Sequence, residues 1–190
     1  GVTANIGYLG GDFKGLADNA GYIAEMGFGA VWITPVVDNP NQAFTGGDEI
    51  SCDSVLTDRG KTGYHGYWGM NFHELDEHLT SDDMEFSNLD RVLENNGLKL
   101  VLDIVGNHSS PGWTMPEKQS GFGQVYSVDG ELLADHGNLP PAKLDPEGNP
   151  LHAWYNSEPG LAQLADFDTD NLEVVDYLVD AYLHWIDQGA

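Results

Sequence analysis

The sequence predicts an α/β fold on a parallel sheet, either an α/β barrel or an open doubly wound sheet. Three observations predict it. Two amphipathic helical stretches are each followed at once by a short strand that is apolar throughout, as strands covered on both faces read. Long turn-rich segments, not hairpin turns, separate these units. A third helical stretch ends at WIDQGA, where the alternation calls for another strand.

The first helical stretch, residues 16–26, puts Leu16, Ala20, Ile23 and Ala24 on one face, and Gly27 stands where a left-handed cap ends a helix. The strand GAVWITPVV follows, and Pro35 terminates it. Residues 38–63 hold no sustained periodicity and are rich in Gly, Asn, Asp and Thr, which marks a long functional or variable loop. A second helix opens on a capping-box-like Ser81, Asp82 and Glu85, aligns Phe86, Leu89 and Leu93, and stops before Gly97. The strand LKLVLDIV comes next. From Gly106 to Ala165 the chain is rich in Gly and Pro, with only short strand-like pieces such as QVYSV. That is too long for a plain βα connection and predicts a small inserted subdomain. In the last helix Asp170 with Glu173 is the expected cap, and Leu172, Val175, Leu178, Val179, Tyr182 and Ile186 form the expected apolar stripe.

Composition narrows the function. A chain of 190 residues with 41% hydrophobic content suits one domain, or one domain with a long insertion. Its 31 acidic residues against 7 basic ones give a formal charge of −24, which repels phosphate backbones and anionic lipid, so nucleic acid and membrane are not expected partners. A neutral sugar or a cation such as Ca²⁺ remains compatible with that field, and a solvated acidic surface suits salty surroundings. Cys52 is the one cysteine, so no disulfide closes within the chain. The N-terminal GVTANIGYLGGDF lacks the basic start and apolar core of a signal peptide, so export is either not signalled or its signal has been removed.

Three segments can carry chemistry. In LVLDIVGNHSS, Asp103 interrupts an apolar run and needs a compensating partner, most often an arginine. Arg59 lies in a loop and Arg91 on a helix, which points to a partner outside this chain. Asn107 and His108 directly follow that strand, where parallel α/β folds gather ligand chemistry, although an isolated Asn-His pair is more often an ordinary turn. In GYHGYWGMNF, Tyr64, His65, Tyr67 and Trp68 sit between glycines and read either as a platform for a pyranose ring or as an aromatic plug. In LAQLADFDTDN, one of Asp166, Asp168 and Asp170 is a helix cap. With Asn107 the segment also offers hard oxygen ligands of the kind Ca²⁺ takes, although acidic loops without an ion are common.

Together, in this order and at these separations, the segments resemble the α-amylase family of glycoside hydrolases. DIVGNH is similar to the family's first conserved block, YHGYW to the aromatic block before it, and LAQLADFD to the block closing an inserted calcium-binding subdomain. GDFKGLADNAGYIAEMGFGAVWITPVV is similar to the first helix and second strand of the family's barrel, so nearly the whole chain is covered. The resemblance implies part of a TIM (β/α)8 barrel, about strands two and three with flanking helices, and a loop-rich insert after strand three. Its expected divisions are a partial barrel over 1–108, a calcium-binding-type subdomain over 109–165, and a barrel helix over 166–190.

The resemblance also implies roles. Tyr67 would stack on the glucose ring at the cleavage subsite, with His65 and Trp68 shaping the pocket; His108 would donate to the same sugar, and Asp103 would hold an arginine preceding the nucleophile. Ca²⁺ would be bound by the Asn107 side-chain oxygen, the Asp166 carboxylate and a backbone carbonyl near Ser157. The substrate class is an α-glucan oligo- or polysaccharide cleaved with retention, and the expected location is extracellular. Oligomeric state is not implied. The nucleophile and the acid/base carboxylate come from later strands in this family, and no Gly-x-Arg-x-Asp block follows WIDQGA, so the segment alone is expected to be inert. GVTANIGYLGG resembles the loop after the first barrel strand, and Asn71 stands where an aspartate is usual. The competing expectation is a carbohydrate-binding relative that kept this fold without catalysis.

Overall fold

Asp12 starts the first helix. Its Oδ1 accepts the Gly15 backbone N–H at 2.7 Å, so α1 (Phe13–Asp18) begins upstream of the apolar periodicity. The computed structural model describes residues 7–48, 57–158 and 160–190; Cys52 and most of the N-terminal GVTANIG segment lie outside them. The single helix expected over 16–26 is two, α1 and α2 (Ala20–Glu25). At the break the Asn19 side chain donates to the Gly15 carbonyl at 2.7 Å, competing with helical bonding. Gly27 and Gly97 take the left-handed φ that their places demand, 89° and 76°.

β1 (Ala30–Ile33) leads through β2 (Val37–Asp38) and β3 (Asn71–Leu75) to α3 (Phe86–Asn95) and β4 (Lys99–Leu102). The cap of α3 is not at Ser81, which instead pairs with Met84 across a tight turn. The capping box is Glu85 with Asn88, three residues into the helix. Phe86, Leu89 and Leu93 are buried as the spacing predicts, each contributing about 1.5–3 kcal/mol. β1 and β4 pair in parallel, Ala30 opposite Lys99 through Ile33 opposite Leu102. Leu100 is buried, whereas Trp32 and its partner Val101 are 73% and 45% exposed. The main core lies on one side of this pair, and no described residue covers Trp32.

Residues 106–167 are built differently. β5 (His108–Pro111) pairs antiparallel with β8 (Leu164–Asp166), and β6 (Gln124–Tyr126) with β7 (Leu132–Asp135). The interior of this stretch includes Ser109, Ser110, Asp135, His136 and His152. Most of these groups find local partners: Ser110 Oγ donates to the Gly121 carbonyl at 3.1 Å and accepts the Gly123 N–H at 2.8 Å, and Lys118 Nζ reaches Asp135 Oδ2 at 2.5 Å, whereas His136 Nδ1 is enclosed without a partner among the described residues.

The last helix, α4 (Leu172–Asp187), is capped by Asn171, whose side chain accepts the Glu173 N–H, and not by Asp170. It buries Val174, Leu178, Ala181 and Trp185. Of the expected stripe only Leu178 is fully buried; Leu172, Val179 and Ile186 face outward. Tyr177 fixes the helix in place: its hydroxyl accepts the Phe72 N–H at 3.1 Å and donates to the Tyr126 carbonyl at 2.7 Å.

Candidate functional site

The aromatic loop between Gly63 and Trp68 is held from both ends. Gly66 has a φ of 81°, and a Cβ there would lie 2.2 Å from the Pro35 carbonyl oxygen, so only glycine passes this point. Trp68 N–H donates to Asn39 Oδ1 at 2.7 Å, and the buried Asn39 amide donates to the Val37 carbonyl at 2.6 Å. Trp68 is 3% exposed and packs with Phe44, Met115, Phe122 and Leu164 in a second small core. It is thus the plug beneath the loop, its indole edge-on to His65 at 4.8 Å, and presents no open face.

Tyr67 is partly exposed and anchored by its own polar tip. Its hydroxyl donates to Asp103 Oδ2 at 2.6 Å, which raises the phenol's pKa, and its backbone N–H donates to His65 Nδ1 at 3.0 Å. Asp103 sits one residue beyond β4, continuing the ladder through its N–H to the Ile33 carbonyl at 3.0 Å. The phenol thus gives Asp103 one hydrogen-bond partner within the chain. Burial pushes His65 down to about 4, so its ring is neutral at pH 7.

His108 closes the group from the other side. Its Nε2 lies 3.2 Å from the Tyr67 carbonyl oxygen, which only accepts, so Nε2 carries the hydrogen. Nδ1 faces the Asn107 amide nitrogen at 3.3 Å. Both ring nitrogens are engaged within the chain, and burial lowers the pKa of His108. A sugar hydroxyl taking the Nε2 hydrogen has to displace the Tyr67 carbonyl.

Asn107 and Asp166 meet because His108 and Asp166 are register partners in β5 and β8. Asn107 Nδ2 is 3.2 Å from Asp166 Oδ1; burial raises the Asp166 pKa against the opposing pull of His108 and of this hydrogen bond. Turning the Asn107 amide over would place two hard oxygens at that separation, which suits neighbouring ligands on one Ca²⁺ at about 2.3–2.6 Å each. The carboxylate packs directly on Gly160, where a Cβ would fall 1.4 Å from Asp166 Oδ2, so only glycine fits there. Ser157 follows Asn156, whose N–H donates to the Asp166 carbonyl at 3.0 Å, so this segment runs alongside β8. Asn107 and Asp166 thus lie side by side and carry oxygen donors of the kind Ca²⁺ takes.

A family profile described as "Alpha amylase, catalytic domain" matches residues 3–190. The chain belongs to the α-amylase family. A cyclomaltodextrin glucanotransferase of Klebsiella oxytoca is 30% identical over 199 residues, covering 96% of this chain and 26% of that protein. Among solved structures, a γ-CGTase from alkalophilic Bacillus clarkii superposes with a TM-score of 0.69 at 26% identity, over 96% of this chain and 25% of that one. An α-amylase from Geobacillus thermoleovorans, solved with acarbose, gives 0.58 at 25% identity, over all of this chain and 34% of its own. This amylase-family chain spans about a quarter of the length of the curated relatives it matches. Its fold is part of the family's (β/α)8 barrel, with β1 and β4 as adjacent parallel strands and no closed barrel among the described residues.

Two groups at the site escaped sequence reading. Asn39 looked like a loop residue, yet it holds both Val37 and Trp68. Tyr182 was read only as part of a stripe, but its hydroxyl bonds the Val105 carbonyl and accepts the Val105 N–H at 3.0 Å, steadying the turn before Asn107. Neither signal is local. Among the described residues, Asp76, Glu77 and His78 are another close cluster of potential metal ligands. Asp76 is saturated there by the Tyr8 hydroxyl at 2.6 Å, the His78 N–H at 2.9 Å and His78 Nδ1 at 2.8 Å, which makes it a structural network.

Proposed function

We propose that this chain is the sugar-binding portion of an enzyme that cleaves or transfers α-1,4-glucan linkages with retention. One observation carries the reading: Tyr67 from one segment, and Asp103 and His108 from another some forty residues later, join in a single hydrogen-bonded group around a partly exposed aromatic ring. The Tyr67 ring offers the apolar face that a glucose ring stacks on. Asp103 holds that ring at a fixed angle, and His65 supports the loop from within. Trp68 shapes the pocket from below. The relatives' names, cyclomaltodextrin glucanotransferase and α-amylase, support an α-glucan as the partner and leave transfer and hydrolysis both represented.

Retaining cleavage requires two carboxyl groups about 5–5.5 Å apart, one attacking and one donating a proton. The family resemblance assigns both to later barrel strands, so the 190 residues by themselves would bind and not cleave. Asn107, Asp166 and a carbonyl near Ser157 would hold Ca²⁺, which when bound supplies a fixed positive charge tying 109–165 to the partial barrel.

Adding maltotetraose to the chain and following aromatic NMR signals tests the binding reading: shifts confined to Tyr67, His65 and His108 are expected, and no shift in these rings would reject it. For the ion, EGTA is expected to lower the melting temperature of Ca²⁺-loaded protein by several degrees, and Asp166→Ala to abolish that response. A melting curve indifferent to chelator would remove the calcium assignment.

A further inference from the structure

Three ring tips on α4 bond the backbone of other elements, and one of them ends beside the Tyr67 group. The Tyr177 hydroxyl holds the Phe72 N–H and the Tyr126 carbonyl, and the Trp185 indole N–H donates to the Phe72 carbonyl at 2.9 Å. These two tie the helix to β3 and β6. The Tyr182 hydroxyl reaches instead to the turn after β4, where it accepts the Val105 N–H at 3.0 Å and donates to the Val105 carbonyl. One hydroxyl thus serves both backbone polar groups of a single residue.

Val105 stands at the middle of the segment that the site depends on. Before it, Asp103 is tied to the β1–β4 ladder by its N–H to the Ile33 carbonyl at 3.0 Å; after it, His108 opens β5 opposite Asp166. Between those anchors the Val105 N–H and carbonyl have no other partner among the described residues, and Gly106 has open space where a Cβ would stand. Nothing but the phenol fixes this turn from the side. Tyr67, on the other half of the group, lies just ahead of β3, whose Phe72 is bonded twice to the same helix. α4 therefore holds both halves against one rigid frame.

We propose that Tyr182 is a positioning residue, whose hydroxyl acts through Val105 to set where Asp103 and His108 stand relative to Tyr67, and so how tightly the site holds an α-glucan. The inference rests on the reading of Tyr67 as a sugar platform. Hydrogen bonds weaken steeply with misalignment. Both contacts at risk, the 2.6 Å bond from Tyr67 to Asp103 and the 3.2 Å approach of His108 Nε2 to the Tyr67 carbonyl, join residues close to Val105 in the chain. The Tyr182 ring itself lies edge-on to Phe72 at 6.5 Å, a contact that phenylalanine keeps.

Comparing Tyr182→Phe with Tyr177→Phe in the full chain tests this. Each removes from α4 one hydroxyl that has two backbone partners, so both are expected to lower the melting temperature by a few degrees. Only Tyr182→Phe is expected to weaken maltotetraose, by roughly threefold to tenfold, and to shift the Tyr67 and His108 ring NMR signals of the sugar-free chain. A purely structural role would lower the melting temperature and leave affinity and ring signals as they are. Unmoved Tyr67 and His108 signals in Tyr182→Phe, or an equal loss of affinity in Tyr177→Phe, would overturn the proposal. The ring signals are read without sugar, so they decide it even where the wild type binds no maltotetraose, the outcome that rejects the reading of the site itself.

Discussion

The β1–β4 pair and residues 106–167 differ in how much polar chemistry their interiors hold. The parallel pair relies on one-sided apolar burial and leaves Trp32 and Val101 bare on its other face. Residues 106–167 also bury apolar side chains, Phe122, Val125, Trp154 and Phe167 among them, but share that interior with buried Ser, Asp, Gln and His side chains that bond one another and the backbone. Apolar burial depends little on protonation or exact geometry. A buried polar interior depends on both, so perturbations should strike the two regions very unequally.

Acid breaks the comparison most strongly. His136 is 1% exposed, stacked on Trp113 at 5.1 Å and edge-on to Tyr155 at 5.2 Å, with Nδ1 enclosed and without a partner among the described residues. Burial, reinforced by His152, holds its pKa down at about 4, against the ordinary 6.5, while Asp135 and the Gly112 carbonyl pull the other way. As pH falls the unfolded chain takes up this proton first, so stability declines from about pH 6.5 and the loss levels off below 4. Between pH 7 and pH 5 the cost from this ring is about 2 kcal/mol, or roughly 4–8 °C in melting temperature. Calorimetry of the wild type and His136→Gln checks it; parallel pH curves for the two would place the acid sensitivity elsewhere. At the other extreme, Trp32→Thr on the bare face should change stability by less than about 0.5 kcal/mol, read by urea melts. A loss several times larger would mean that this face is covered in solution.

The same contrast explains what could be read from sequence. Phe86, Leu89 and Leu93 were legible because α3 is apolar on one side only, so spacing names the buried face. α4 is apolar nearly all round and offers two stripes; packing against Phe72 selected Val174, Leu178, Ala181 and Trp185. The helix break at Asn19 and the shift of the cap to Glu85 depend on single side-chain bonds that periodicity does not register. At the candidate site, Tyr67, Asp103 and His108 were recognisable as types in order, and the structure brings them together. Asn39, Tyr182 and Gly160 were not, since each matters through a contact far along the chain. Asn71 shows the same limit. Its amide donates to the Ser127 carbonyl at 3.0 Å and toward Glu74 at 3.2 Å, roles an aspartate has no hydrogen to fill.

The most direct measurement compares Tyr67→Ala with the wild type for maltotetraose affinity and melting temperature together. A ring that carries sugar stacking predicts at least a tenfold loss of affinity, about 1.4 kcal/mol or more, with melting shifted only a few degrees. Unchanged affinity, or a collapse of stability matching the loss of binding, would make Tyr67 a packing residue and contradict the account.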